Sequence, residues 1–586
     1  MGKRDQARRS TSVCLAIAIA ALASSARSAD RIDLNGIWEF RLEEGKSLEE
    51  TALPDFKASD RMTVPGCWDA TSRYCNKRGT GCYRRSFYVP YDAEDAYVVV
   101  DGMGLRARIF VDGRDLGLCR LPWVRFDLKA GPLKAGRHEI VAAVDSVVDN
   151  SKVKLFWNFY DFYPYGGFYH GVSLELKRTA GEPRRVVART KDYKTGLVEL
   201  ELRYDGDVPR VVQADVAFDA GRPTAVEFHD GRAELVVPSF RLWSPDGPNM
   251  HSVSVSAGGA TLFARFGIRQ VGTAGGRVTL NGRPVYLKGV NRHEQHWEFG
   301  VSTPQALMYE DIANLKDMGG NFVRGAHYPQ CEAFLDLCDE MGVLVWEESI
   351  GWGNSKAHFE DPEFCDLQEE QTRLMVRNSI NHPSVVISGF LNEPASDLEC
   401  CRSLVNRLVD VIRAEESGHL VTFACNRNST DICNDKTDII AYNTYPFWYS
   451  YRPKTGTHEE MVRNVHDCHA GVVRYFRTKY ADDRPIIVSE TGVKADYGAR
   501  DRRGRAQYTE DFQEEYTRVT LETVASLPDL AGIAIWQYVD AKTYTRIEGL
   551  RDRAYGVNTG GIYDRYRRPK LVVETVGEFF RGKMAE

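Results

Sequence analysis

The sequence predicts three folded units in series: an N-terminal β jelly-roll sandwich, an immunoglobulin-like β-sandwich and a C-terminal (β/α)8 TIM barrel. Three observations support this multidomain fold. The chain has 586 residues, too many for one hydrophobic core. Its first half contains short alternating strands separated by Gly and Asp turns, whereas its second half contains apolar strands that alternate with helices.

The first 28 residues have the pattern of a secretory signal. Basic residues at positions 3, 4, 8 and 9 are followed by the apolar run VCLAIAIAALA at 13–23 and by small residues around 26–28. That run is too short to span a bilayer, and no later segment is apolar enough to do so. We therefore predict that residues 1–28 are a signal peptide and that the protein is secreted or periplasmic, with a retained anchor as the alternative.

Composition and charge narrow the classes of partner. The formal net charge is -6, and loss of the first 28 residues, which carry five basic groups and one acidic group, makes it -10. Such a chain is unsuited to nucleic acid or to an anionic membrane surface as a partner. The 13 cysteines are scattered and form no CxxC pair, so we expect no metal cluster and no cofactor. The composition says nothing against a small neutral molecule as a partner.

The two all-β units are predicted from evenly spaced short strands. In the first, at residues 30–178, alternating runs with Gly and Asp turns indicate a jelly roll that resembles a sugar-binding domain. These runs lie at 36–40, 96–100, 107–111 and 138–144. A polar RTAGEP linker follows, and the second unit at 183–270 is immunoglobulin-like because about 90 residues contain a series of short strands.

The third unit, at residues 271–586, is predicted to be the catalytic barrel. Strands and helices alternate over about 300 residues, which is typical of a (β/α)8 barrel. The predicted strands are 321–324, 343–347, 385–391, 439–443, 486–490 and 532–538, and the predicted helices are 304–318, 332–341, 366–381, 397–416, 458–480 and 511–525.

Two glutamates stand at the ends of buried strands in this barrel. The segments NHPSVVISGFLNEP at 381–394 and RPIIVSETG at 484–492 each contain an apolar run that stops at a glutamate, Glu393 or Glu490. Parallel barrel strands deliver their last residues to the same face, so the two carboxylates can meet over one pocket. A single strand-end Glu is usually just solvated, but a facing pair can supply the proton donor and nucleophile of glycosidic-bond cleavage.

Five motifs occur in one order along the chain: LWSPD at 242–246, GVNRHE at 289–294, NHPS at 381–384, NEP at 392–394 and SETG at 489–492. With the order of the three units, they resemble glycoside hydrolase family 2, which contains β-galactosidases, β-glucuronidases and β-mannosidases. The resemblance covers essentially the whole chain after residue 28. It implies a glycoside hydrolase whose active site lies in the barrel.

The resemblance also implies roles for individual residues. Glu393 matches the general acid/base, Glu490 the nucleophile, and Asn392 the residue that holds the sugar 2-hydroxyl. A retaining mechanism places the two carboxyls about 5 Å apart, and their mutual repulsion raises the pKa of one of them. The other implied sugar-site residues are His293, His327, Tyr445, Trp536, Asp161, Asn443 and Asn558.

Several of these residues have an ordinary structural alternative. Tyr445 is expected to touch the nucleophile, Trp536 to stack on the sugar, and Asp161 to reach the site from the first sandwich. Outside the family context, strand-end histidines and aromatics are often core residues, and a loop aspartate is often a turn residue. The segment HEQH at 293–296 lacks the spacing of a zinc HExxH motif, so we predict no metal site there.

Two departures from family patterns bear on the sugar. Large β-galactosidases carry a Glu-x-His magnesium pair after the fourth strand, but VWEESIG at 345–351, which we assign to that strand, has no such histidine. β-Glucuronidases hold the sugar carboxylate with Asn-x-Lys, but here NTGGI at 558–562 has glycine at the lysine position. A buried uronate without a cation is costly, which favours a neutral sugar unless Arg551, Arg553 or Lys542 supplies the charge.

The sequence therefore predicts a retaining exo-β-glycosidase that removes the terminal β-linked sugar of oligosaccharides or glycoconjugates, of the β-galactosidase type. The alternative within this class is a β-glucuronidase or β-galacturonidase with a non-standard carboxylate clamp. The alternative from another class is a non-catalytic carbohydrate-binding protein, which the presence of both glutamates and their neighbours disfavours. The aglycone and the oligomeric state, including a homo-oligomer, stay open.

Overall fold

The computed structural model describes residues 31–157, 161–179, 181–449, 456–501, 506–544, 553 and 556–583, so the predicted signal at 1–28 lies outside it. Two β-sandwiches precede a closed eight-stranded barrel. This arrangement confirms the predicted fold class. Among the described helices, none has the length and apolarity needed to cross a membrane.

The first unit is a β-sandwich with one buried core. Its strands are β1 (Arg31–Asp33), β2 (Gly36–Glu44), β3 (Asp60–Val64), β4 (Gly66–Cys67), β5 (Gly79–Val89), β6 (Asp95–Val100), β7 (Arg106–Val111), β8 (Arg114–Cys119), β9 (Phe126–Lys129), β10 (Gly136–Asp145), β11 (Gly167–Phe168) and β12 (Val172–Lys177). They form a six-stranded sheet, β3-β2-β5-β10-β7-β8, a four-stranded sheet, β1-β12-β6-β9, and the pair β11-β4. Trp38 and Tyr83 from one sheet and Val98 and Leu174 from the other are buried in the same cluster.

The second unit folds one sheet over itself. Its strands are β13 (Arg185–Asp192), β14 (Leu197–Arg203), β15 (Val211–Phe218), β16 (Thr224–His229), β17 (Arg232–Val236), β18 (Trp243–Ser244), β19 (Gly247–Pro248), β20 (His251–Ala257) and β21 (Ala260–Phe266). Seven of them pair in the order β13-β14-β17-β16-β15-β20-β21. Because β16 and β17 share only the pair His229↔Arg232, the two halves of the sheet pack face to face, with Val198 and Val255 in a common core.

The barrel is preceded by a small antiparallel sheet of β22 (Val271–Ala274), β23 (Arg277–Leu280) and β24 (Arg283–Val285). Its own strands are β25 (Leu287–Arg292), β26 (Phe322–Gly325), β27 (Leu344–Trp352), β28 (Val385–Asn392), β29 (Leu420–Cys425), β30 (Ile440–Asn443), β31 (Ile486–Thr491) and β32 (Leu530–Ile535). The outer helices are α1 (Gln305–Asp317), α2 (Glu332–Met341), α3 (Lys356–Phe359), α4 (Pro362–Ser379), α5 (Glu399–Ala414), α6 (His458–Tyr480), α7 (Glu510–Ser526) and α8 (Val572–Glu578). The pair β33 (Ala541–Lys542) and β34 (Val557–Asn558) follows the last barrel strand.

The barrel contains two strands that the sequence analysis did not predict. These are β25 and β29, and residues 426–439 between β29 and β30 form no helix. Because no helix follows β29, the short apolar run LVTFAC could not be distinguished from part of a loop. The structure also corrects the strand count, because β27, which contains VWEESIG, is the third strand of the barrel and not the fourth.

Tight packing inside the barrel brings β27 and β28 together at a glycine. Gly389 of β28 pairs with Glu348 of β27, and a Cβ atom added to it would lie 2.0 Å from Nε1 of the fully buried Trp346. In contrast, Gly471 lies within α6, and a Cβ atom there would have no neighbour within 4 Å. A side chain larger than hydrogen therefore has no room at Gly389 but has room at Gly471.

We expect Gly389→Ala to lower the free energy of unfolding by about 1–3 kcal/mol, because the added methyl group overpacks the barrel interior. Gly471→Ala should raise it by roughly 0.5–1 kcal/mol, because alanine is the better helix former. Thermal unfolding followed by circular dichroism measures both changes. Equal behaviour of the two variants would contradict this account of the barrel core.

Candidate active site

The two glutamates singled out in the sequence lie at the carboxyl ends of barrel strands. Glu393 follows the last residue of β28, and Glu490 lies near the end of β31. Both strands run parallel in the same barrel, so both side chains reach the same face. Their charges interact: Glu490 is one of the groups that raise the pKa of Glu393.

The carboxylate of Glu490 is held at both oxygens. Arg324 donates from Nη1 to Oε1 at 2.6 Å, and the Tyr445 hydroxyl donates to Oε2 at 2.6 Å. Burial, with the nearby carboxylates, raises the pKa of Tyr445 well above its usual value, so its hydroxyl keeps the proton that it donates. His327 Nε2 lies 3.9 Å from Oε1. The carboxylate is thus fixed in one orientation.

Arg324 donates hydrogen bonds to several residues of the site, and the sequence analysis did not assign it a role. It lies fully buried in β26 and donates to Glu348 Oε2 at 2.8 Å and to Asn291 Oδ1 at 2.9 Å, as well as to Glu490. A further donation reaches Asn392 Oδ1 at 2.9 Å. The sequence did contain a sign of this role, because Arg324 is a charged residue in the apolar strand NFVR. A buried guanidinium must be paired.

Glu393 has quite different surroundings. Its Oε1 accepts a hydrogen bond from Asn443 Nδ2 at 3.0 Å. Burial raises the pKa of Glu393 to about 7, and the charge of Glu490 adds to this effect, whereas Asn443 and Arg324 oppose it. The group can therefore hold a proton near neutral pH, as a general acid must.

Asn392 offers one group to a ligand. Its Oδ1 is occupied by Arg324 and by Asn443 Nδ2 at 3.0 Å. Its Nδ2 is buried and has no hydrogen-bond partner among the described residues. An amide oriented in this way donates into the pocket, which agrees with the role expected for it at a sugar hydroxyl.

Two histidines and a tryptophan form an apolar wall of the pocket. The rings of His327 and Trp536 stack with centroids 5.3 Å apart, and His293 meets Trp536 edge-on at 5.4 Å. Burial lowers the pKa of His293 well below its usual value and that of His327 to about 3, so both are neutral. Phe162, from the first sandwich, lies 5.5 Å from His293. Trp536 therefore packs on both histidines and borders the pocket.

A second polar cluster joins the first sandwich to the C-terminal part of the barrel. Arg553 Nε donates to Asp161 Oδ1 at 3.0 Å, and Asn558 Nδ2 donates to Asp161 Oδ2 at 3.1 Å. The guanidinium of Arg553 is only 7% exposed. The cluster is next to Trp536, because a Cβ atom on Gly560 would lie 3.5 Å from Trp536 Cδ1 and 3.1 Å from Asn558 Oδ1.

The three cationic residues considered in the sequence analysis, Arg551, Arg553 and Lys542, differ in position. Arg553 lies in this cluster, whereas Lys542 Nζ lies 3.8 Å above the ring of Tyr163 and interacts with Asp69. Arg551 lies outside the described residues.

Tyr449 is a pocket residue that the sequence analysis missed. Its ring lies 6.1 Å from that of Tyr445, it is 70% exposed, and the charges of Arg553, Glu393 and Asp161 act on its hydroxyl. It therefore stands at the mouth of the pocket between the glutamates and the second cluster. Its spacing of four residues from Tyr445 was the only signal.

The chain resembles known proteins in its sequence and in its fold. The family model described as the glycosyl hydrolases family 2 TIM barrel domain matches residues 271–576. The chain is 29% identical over 435 residues to the β-glucuronidase of Sus scrofa, across 70% of this chain and 63% of that one, so it matches less than two thirds of the pig protein. It is 26% identical over 604 residues to the β-glucuronidase of Streptococcus agalactiae, across 92% and 94% of the two chains.

Solved structures have the same fold over almost the whole chain. A family 2 β-galacturonidase from Eisenbergiella tayi bound to galacturonate superposes with a TM-score of 0.83, at 28% identity, over 95% of this chain and 98% of that one. A β-glucuronidase from Bifidobacterium dentium, at 22% identity and a TM-score of 0.81, covers 94% and 97% and shares the fold.

Replacing Glu490 by Gln removes a negative charge near Glu393 and keeps the side-chain volume. We expect the pKa of Glu393 to fall from about 7 toward the ordinary glutamate range, because one of the two causes that raise it is gone. Difference infrared spectroscopy of the protonated carboxyl band during a pH titration measures this pKa, and Glu393→Gln assigns the band.

Glu347 supplies an internal control for this measurement. Burial also raises the pKa of Glu347 to about 7, and Glu490 is not among the groups that act on it. The band that disappears in Glu347→Gln should therefore titrate at the same pH with and without the charge at position 490. An unchanged Glu393 band in Glu490→Gln would show that the two carboxyls are not coupled.

Proposed function

This chain belongs to glycoside hydrolase family 2, and we propose that it is a retaining exo-β-uronidase whose preferred substrate has a terminal β-linked galacturonate. The observation that carries the choice of a uronide is the buried guanidinium of Arg553 beside the pocket. The similar proteins are β-glucuronidases and a β-galacturonidase. They favour this alternative over the galactose-type sugar predicted from the missing lysine.

In the proposed reaction, Glu490 is the nucleophile and Glu393 the general acid. An oxygen of Glu490 attacks the anomeric carbon while Glu393 gives its proton to the leaving oxygen, which breaks the glycosidic bond. Glu393, now ionised, then takes a proton from water, and the water oxygen displaces Glu490 from the sugar. The raised pKa of Glu393 supports its role, because a donor with a pKa of about 7 is protonated in part of the molecules near neutrality.

The remaining residues near the glutamates position the sugar. The unpaired Nδ2 of Asn392 is suited to a hydroxyl next to the anomeric carbon, where a hydrogen bond strengthens in the transition state. Trp536 is suited to the apolar face of a pyranose. Tyr445 and Arg324 keep both oxygens of Glu490 in place for attack.

The second cluster is suited to the sugar carboxylate. A guanidinium has five donors in a planar fork, so Arg553 can bind Asp161 and a substrate carboxylate together. Asn558 and the hydroxyl of Tyr449 lie beside it. This arrangement answers the objection from the missing lysine, because the cation comes from position 553 and not from position 560.

Gly560 supports galacturonate over glucuronate. The family's glucuronidases are expected to have a lysine at this position, and a lysine side chain here would begin beside Asn558 and Trp536, the residues closest to a Cβ atom on Gly560. Glucuronate and galacturonate differ only in the direction of the 4-hydroxyl, so a difference in space beside the carboxylate site is the kind of change that selects between them. The galacturonate-bound structure of the Eisenbergiella tayi protein agrees with this choice.

The first test of the proposal is a substrate panel. We expect kcat/KM to be highest for p-nitrophenyl β-galacturonide, lower for the β-glucuronide and lowest for the β-galactoside, because the last lacks the carboxylate that Arg553 binds. Release of nitrophenol by the purified full chain measures all three rates. A preference for the galactoside would overturn the uronidase proposal, and a preference for the glucuronide would overturn the choice of epimer.

The second test concerns Arg553 itself. Loss of one partner of a buried charge pair at an interface costs about 2–5 kcal/mol, so we expect Arg553→Gln to lower kcat/KM on the preferred uronide by on the order of 100-fold. The rate on the galactoside should change little. Arg553→Lys keeps the charge and should recover part of the loss.

Lys542→Gln is the matched control for this test, because Lys542 is a nearby cation that lies over Tyr163 and outside the cluster. It should leave the ratio of uronide to galactoside rates unchanged. If Lys542→Gln lowers that ratio and Arg553→Gln does not, the proposal has assigned the carboxylate to the wrong residue. Equal losses on all substrates in Arg553→Gln would indicate a structural role only.

A further inference from the structure

Three side chains of the types that bind metal ions meet where the first sandwich contacts the barrel. His170 lies between β11 and β12, Glu294 follows β25, and Cys331 is the residue before α2. One ligand atom from each lies within 4.8 Å of the other two. His170 Nε2 is 3.5 Å from Glu294 Oε2, and Cys331 Sγ is 2.9 Å from Glu294 Oε1.

The hydrogen bonds within this cluster leave polar atoms unsatisfied. Glu294 is fully buried, and its Oε2 accepts no hydrogen bond from the described residues. His170 Nε2 is also buried and has no hydrogen-bond partner in the same set. Buried polar atoms of native proteins are nearly always satisfied. His170 Nε2 and Glu294 Oε2 lie 3.5 Å apart, which is longer than an ordinary hydrogen bond, and a cation between them would satisfy both atoms.

We propose that His170, Glu294 and Cys331 bind one Zn²⁺ ion. Imidazole nitrogen, carboxylate oxygen and thiolate sulfur are the ligands that zinc takes in proteins, and three protein ligands leave a fourth position for water. The thioether of Met308, 3.8 Å from Cys331 Sγ, borders that position. On binding, the thiol of Cys331 releases its proton to solvent and a sulfur–zinc bond forms.

The charges around the cluster are compatible with a cation. The charge of Arg292 acts on Glu294 and Cys331, and it is paired with a carboxylate, because Arg292 Nε donates to Asp311 Oδ2 at 2.9 Å. A second group of possible ligands, Asp336, Asp339 and His382, is different. There His382 Nδ1 already bonds Asp339 Oδ2 at 2.7 Å and Ser384 N donates to Asp339 Oδ1 at 2.9 Å, so no ion is needed.

An ion at this place would brace two loops of the active site. Glu294 comes directly after His293, and its backbone N–H donates to the Tyr328 hydroxyl at 3.1 Å. Cys331 belongs to the loop that also carries His327 and Tyr328. Zinc would therefore tie the ends of β25 and β26 to the first sandwich through His170. This inference departs from the prediction of no metal, which considered only motifs that are continuous in sequence.

Cobalt binding is the direct test, because a Co²⁺–thiolate bond has a charge-transfer band in the near ultraviolet. We expect the chelator-treated full chain to bind one Co²⁺ with this band, and added Zn²⁺ to displace it. Cys331→Ser should lose the band and weaken Zn²⁺ binding by on the order of 100-fold or more, since removal even of outer-shell partners costs 10–100-fold. Cys75→Ser, which removes an exposed thiol that is not part of the cluster, is the matched control and should behave like the unchanged chain.

Thermal unfolding gives a second measurement that does not depend on the spectrum. Zn²⁺ should raise the Tm of the unchanged chain and of Cys75→Ser but not of His170→Asn, a substitution at a position that is 12% exposed and is expected to fold. The proposal is overturned if the unchanged chain shows no thiolate band with Co²⁺, or if Cys331→Ser keeps it. It is also overturned if His170→Asn binds Zn²⁺ as tightly as the unchanged chain, which decides the question should Cys331→Ser fail to fold.

Discussion

The buried charge of Arg324 is the constraint on which the site depends. A guanidinium with no exposure to water requires a partner for each of its donors. Asn291 from β25, Glu348 from β27, Asn392 from β28 and Glu490 from β31 supply these partners. With Arg324 itself in β26, one cation fixes side chains from five of the eight barrel strands. The residues that hold the proposed nucleophile are therefore positioned by strands of the barrel.

This single cation also explains why two glutamates in one pocket differ. Glu490 receives a donated hydrogen bond from Arg324 on one oxygen and from Tyr445 on the other. Glu393 is one residue beyond the end of β28 and, among the described residues, accepts a side-chain hydrogen bond only from the neutral amide of Asn443. Burial and the charge of Glu490 then raise the pKa of Glu393. The proposed acid, Glu393, and the proposed nucleophile, Glu490, are thus distinguished by which of the two Arg324 contacts.

Sequence reasoning succeeded where the signal was local. Glu393 and Glu490 each follow an apolar run in their own segment. The carboxyl ends of parallel barrel strands lie on one face, however many residues separate the strands in sequence. It failed for β29 because the helix that normally marks a strand–helix pair is absent from residues 426–439. It named Arg553 as one of three candidate cations but could not choose among them, since its partner Asp161 is 392 positions away and nothing near either residue indicates the pair. The cluster of His170, Glu294 and Cys331 joins three segments in the same way.

Chemistry and sugar recognition are built from different parts of the chain. The glutamates and their supporting residues come from barrel strands, whose register is fixed by the closed sheet. The residues suited to the far end of the sugar are Asp161 from the first sandwich and Arg553 and Asn558 from beyond the last barrel strand. A substitution such as glycine at position 560 can change the sugar without disturbing Arg324 or the glutamates, because the atoms closest to a Cβ atom at this position belong to Asn558 and Trp536. The substrate therefore cannot be inferred from the catalytic motifs, and it must be argued from the second cluster.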